Sequence, residues 1–138
     1  MWIAANIRWL MIVSGALTAT MIYAAIAPHA AVQAMLGETV SDPVAQIVVR
    51  TWGALIGLTG AMLIYAASRP VLRPLVLTVA SISKAFFVLL MVAQRGPELN
   101  GQGIVSIAVD AVMVVLFTWY LVAGRARVTR HRETHSAV

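Results

Sequence analysis

The chain of 138 residues contains no cysteine, which excludes a disulfide, a thiol nucleophile, a thiolate zinc site and a cysteine-ligated iron–sulfur cluster. Charge is scarce as well: 11% of residues are charged against 61% hydrophobic. A mean hydropathy of +0.88 is too apolar for a domain that must cover itself with polar groups in water. None of the three histidines, His29, His131 and His135, lies within a long apolar run, so a bis-histidine haem inside a bundle is not expected. His131 and His135 have a helix-type metal spacing, but Glu133 does not adjoin the first of them as in metalloprotease helices, and no metal or cofactor is expected. The net charge of +5 could suggest nucleic acid. Most arginines instead flank apolar runs or gather in the tail, where topology signals belong, and no nucleic-acid fold signature is present.

What the sequence has is four long apolar runs, at 9–27, 44–67, 74–92 and 104–122. Each is long enough to cross a bilayer, for which ~20 residues suffice. The expected fold is all-α: a four-transmembrane-helix bundle filling residues 1–124, with a basic tail over 125–138 that is helical for a turn or two and then frayed. Trp2, Trp9, Trp119 and Tyr120 are placed as interfacial aromatics. Arg8 before the first run and Ala24, Ala25 and Ala27 at its end also suit a signal peptide, but Pro28 would then open the mature chain. A retained first span is therefore expected.

Between the first two runs, residues 30–36 predict a short interfacial helix, too short to cross, ended by Gly37. Pro70 and Pro74 mark a tight turn between the second and third runs. The turn formers of 94–103 make the next loop. Arg8, Arg69, Arg73, Arg125, Arg127, Arg130 and Arg132 fall on one side of this topology, against Arg95 on the other. Both termini are thus expected in the cytoplasm, with the chain in the inner (cytoplasmic) membrane and Glu38, Asp42 and Glu98 outside.

Three charges interrupt the apolar runs: Arg50, Lys84 and Asp110. Hydrocarbon strongly disfavours an unpaired charge, so each needs a partner, water or a route to the interface. Arg50 and Asp110 each lie six residues, or ~9 Å, inside their runs, and Lys84 lies ~12 Å deep from the same side. Equal depth predicts an Arg50–Asp110 ion pair with Lys84 close by. Ser81 and Ser106, each about one turn from a charge, could add hydrogen bonds. A trio with one surplus positive charge would favour an anion, a quinone-type carbonyl or a lipid headgroup. No set of residues reads as catalytic, and the charges could equally serve to hold helices in register.

On the second run Gly53, Gly57 and Gly60 share a side with Arg50 and let another helix approach closely. Ser14, Gly15, Thr18 and Ala19 form a small, weakly polar patch on the first run, also suited to packing. An exporter is disfavoured because the first run has no acidic residue and no internal repeat is evident.

Ala27-Pro28 closing the first run, Gly37 in the following loop, and Arg50-Thr51-Trp52-Gly53 opening a glycine-lined second helix make the chain similar to the DoxX-like superfamily of small four-helix membrane proteins. That resemblance implies a non-catalytic accessory or assembly subunit, in some members beside quinone-linked redox complexes, although the cysteines of some redox-linked relatives are absent here. The expected partners are membrane lipids and either another membrane protein or a second copy of the chain. The alternative expectation is a pocket protein or enzyme of the outer leaflet in which Arg50, Lys84 and Asp110 bind an anionic, quinone-like or lipid-like amphiphile.

Overall fold

A computed structural model describes residues 2–95 and 101–136, with side chains at 6–94, 101 and 103–124. The described residues form six helices and no strand: α1 (Trp2–Ala19), α2 (Ile22–Ile26), α3 (Pro28–Leu36), α4 (Pro43–Ala67), α5 (Arg73–Arg95) and α6 (Gly101–Ser136). Four segments are long and apolar enough to cross a membrane: Asn6–Ile26, Pro43–Ala67, Pro70–Gln94 and Gly103–Gly124. The chain is a multi-pass, all-helical membrane protein.

The helices form a ring in the order α1, α4, α5, α6. The tightest pairs are α1 with α4 and α5 with α6, while α1 and α6 touch more sparingly. The α1–α4 seam follows from small residues. A Cβ added to Gly60 would come within 2.6 Å of the Gly15 carbonyl oxygen, and one added to Gly15 within 2.7 Å of the Gly60 carbonyl oxygen. Two backbones therefore touch where no side chain fits, a contact that in lipid rests on van der Waals packing. Gly53 and Gly57 continue this seam onto α2, against Ala24 and Ile22.

The first span is not the single uninterrupted helix its run of apolar residues predicts. It breaks at Thr20 and Met21, where Met21, Tyr23 and Ala24 donate to carbonyls three residues back. The Thr20 hydroxyl donates to the Leu17 carbonyl at 2.6 Å, a local bond that competes with helical geometry. Pro28 then starts α3 and brings no N–H of its own. α3 lies across the end of the bundle against α2, α4 and α6, with Pro28, Ala31, Val32 and Met35 buried. Gly37 ends it in the left-handed conformation, φ 72°, which a residue with a Cβ rarely adopts. Asp42 caps α4 by accepting from the Ala45 N–H at 2.7 Å.

At the far end a tight core joins all four long helices, with Met11, Leu63, Leu77, Ala80 and Phe117 at its centre. The Arg73 guanidinium donates to the Ala67 carbonyl there at 2.7 Å and so closes the C-terminal end of α4. The basic stretch continues α6 as helix to Ser136, further than the turn or two its composition predicts. Of the loop expected at 94–103, residues 96–100, Glu98 among them, lie outside the described residues, while 94–95 and 101–103 belong to the ends of α5 and α6 and not to a loop.

Candidate ligand site

Asp110 pairs with Lys84, Nζ to Oδ1, and not with Arg50. Residue counting puts both cations within a turn of the depth of Asp110, but their positions around the ring differ. Asp110 is on α6 and Lys84 on its neighbour α5, whereas α4, which carries Arg50, sits diagonally across the bundle from α6. Arg50 stays exposed and donates from Nη1 to the Ala25 carbonyl at 3.0 Å. That carbonyl lies at the end of α2, where the turn into Pro28 removes the helical partners of the last carbonyls. Arg50 is therefore a long-range cap on the first span, not a member of the charge cluster.

The Lys84–Asp110 pair is one wall of a cavity of about 280 Å³. Lys84 is 8% exposed. Met35 of α3 lies over this space, and Met113 closes it below. The Ser14 hydroxyl donates to the Met113 sulfur at 2.9 Å, a weak acceptor that ties α1 to α6 at the floor. Trp52 on α4 stacks on Phe87 of α5, centroids 6.1 Å apart, and both rings line the space with Ile56. On α1 and α6 the walls are Leu17, Val105 and Val109. Hydroxyls reach it from Thr18, Thr59, Ser83 and Ser106.

Thr18 stands apart among these. It is 7% exposed and its hydroxyl has no hydrogen-bond partner, an expense of roughly 1–3 kcal/mol for a buried polar group left unsatisfied. Most such groups in folded proteins are satisfied, but the Thr18 oxygen is sealed off from the cavity space and reaches a bound molecule only if the wall shifts. Of the three N–H groups of Lys84 one serves Asp110, and the second carboxylate oxygen remains free to accept. The site can thus give hydrogen bonds from Lys84 and take one at Asp110.

Ser106 is on this wall; Ser81, also expected near the charges, is buried one turn below Lys84, away from the wall and with no hydrogen-bond partner. Gly53, Gly57 and Gly60 are buried in the α4 seam. The sequence did not single out Trp52 or Phe87 for this site. It did show Ser14 and Thr18, as part of one small-residue patch. That patch splits by angle: Gly15 meets α4, while Ser14 and Thr18 turn inward to α6 and the cavity. Among the described residues no group of three metal-ligating side chains comes together. Comparison of the chain with protein-family models, with curated proteins and with solved structures finds no match.

Proposed function

We propose that this protein binds the polar head of a lipid-like or quinone-like amphiphile in the cavity beside Lys84 and Asp110. The observation that carries the reading is a largely apolar chamber walled on one side by the part-buried Lys84–Asp110 ion pair. A few convergent polar groups in an otherwise apolar pocket are what orient a small molecule. Its volume is close to the lower bound of ~300 Å³ usual for such pockets, which suits a headgroup or one ring. Because Asp110 balances Lys84 and Arg50 is engaged elsewhere, the charge favours a neutral head with a carbonyl acceptor over an anion.

The orientation we propose places both termini in the cytoplasm and α3 at the outer interface of the cytoplasmic membrane. Arg8, Arg69, Arg73 and the basic end of α6 all belong to the bundle end opposite α3, which supports it. The site then opens toward the outer leaflet. The DoxX-like resemblance supports the same kind of small membrane protein, and an accessory role beside quinone-linked complexes would use this pocket for lipid or quinone.

Native mass spectrometry of gently extracted protein tests the reading. Wild type is expected to carry a bound small molecule that the Lys84→Met/Asp110→Leu double variant, which strands no charge, loses while its unfolding midpoint stays close to wild type. A ligand-free wild-type spectrum under every mild extraction would overturn it.

A further inference from the structure

The cavity has an apolar side exit between α1 and α6, and we infer that a single aliphatic tail leaves the site there into the bilayer. This inference rests on the pocket reading above and adds the shape of the molecule: one compact neutral head and one chain. The argument starts from angles around α1. Gly15 faces α4 and Thr18 faces the interior. Successive residues step ~100° around a helix, so Leu17 lies on the opposite side of Thr18 from the α4 seam, beside α6. Leu17 lines the cavity and is nevertheless 52% exposed. Val105 and Val109 on α6 likewise line the cavity and are 61% and 38% exposed. Thr20 and Ser83 also wall the chamber and face outward, but both are polar, and only on the α1–α6 side, at the mouth, are the residues that do both aliphatic.

Three aliphatic side chains at this mouth offer nothing to a polar group and a good surface to a methylene chain. The mouth lies within the stretches of α1 and α6 that are apolar enough to span, so it opens on lipid and not on water. On the other flank, the Trp52–Phe87 stack bridges α4 and α5. Inside, the remaining N–H donors of Lys84 and the second carboxylate oxygen of Asp110 fit a head with a carbonyl next to a hydroxyl. A monoacylglycerol has that chemistry, with its ester carbonyl and free hydroxyls at one end of one tail.

The absence of native cysteine makes a direct test simple. Leu17→Cys is placed at the mouth, and Ile82→Cys, on the lipid-exposed face of α5, serves as control. Each protein is assayed before and after alkylation with N-cyclohexylmaleimide, so one folded preparation is its own reference. The probes are monoolein, followed by native mass spectrometry, and tail-free monoacetin, followed by Trp52 emission after Trp2, Trp9 and Trp119 are changed to Phe. Alkylation at position 17 is expected to weaken monoolein retention at least tenfold and leave the monoacetin response within twofold. Alkylation at position 82 should change neither.

Undiminished monoolein retention after labelling at position 17 would overturn the exit and leave the pocket standing. Loss of both probes would also overturn it, since position 17 would then shape the head site itself. A change of oligomeric state on labelling would assign the groove to a second copy of the chain instead. No response to either probe before labelling would remove the exit together with this head chemistry.

Discussion

The two halves of the bundle are built on opposite plans. Toward the arginine-bearing end, Met11, Leu63, Leu77 and Phe117 are fully buried against one another. Toward α3 the same four helices enclose a chamber, an ion pair and a hydroxyl without a partner. In a bilayer the hydrophobic effect no longer drives helices together, so packing and interhelical hydrogen bonds carry association. A hollow half gives up part of that packing. The dense half and the glycine seam of α1 with α4 hold the frame, and the hollow half is left open for a ligand.

Removing one charge of the pair should produce the largest effect. Lys84→Met strands Asp110 in apolar surroundings, and breaking a buried pair costs about 3–5 kcal/mol. Adding Asp110→Leu should recover most of that loss, as read by reversible unfolding in mixed micelles. If the double variant is no better than the single, Asp110 is not held by Lys84 alone. Next in size is Gly60→Ala, whose Cβ would meet the backbone of α1; a loss at the upper end of ~1–3 kcal/mol is expected, and an unchanged midpoint would mean the seam can spread at little cost.

The contrast between halves is sharpened by one pair of truncations. Leu63→Ala, in the dense half, should cost about 2 kcal/mol, the low end for core truncations because little apolar surface moves between protein and water. Ile56→Ala, at the chamber wall, should cost well under half as much, since it enlarges a space already present. Equal losses by thermal unfolding would show that the chamber is filled in the free protein. Last is Thr18→Val, which removes a buried hydroxyl without a partner and should raise stability by about 1 kcal/mol; a loss in the same assay would show that the hydroxyl is hydrogen-bonded.

Much of this architecture was legible in the sequence, because span number and helix breakers are local signals. Four apolar runs, the Gly37 stop and the Gly53/Gly57/Gly60 stripe correspond to features of the structure. Counting residues along each run also places the three charges at similar distances from the run ends. What counting cannot supply is the order of helices around the ring. That order gives Asp110 to Lys84 and leaves Arg50 to the Ala25 carbonyl. The break at Thr20 was hidden for a related reason: threonine sits in many apolar helices without ending them, and only the pull of Gly53 and Gly57 against α2 distinguishes this one. The chamber was invisible because Thr18 and Leu17, adjacent in sequence, face different surroundings.

The cap that Arg50 places on Ala25 has a consequence for how the protein is made. The donor is 25 positions downstream of the carbonyl it serves, so the cap forms only once the second span stands beside the first. The exposed end of α2 is then completed by another span and not by its own chain neighbours, which couples the two as a hairpin.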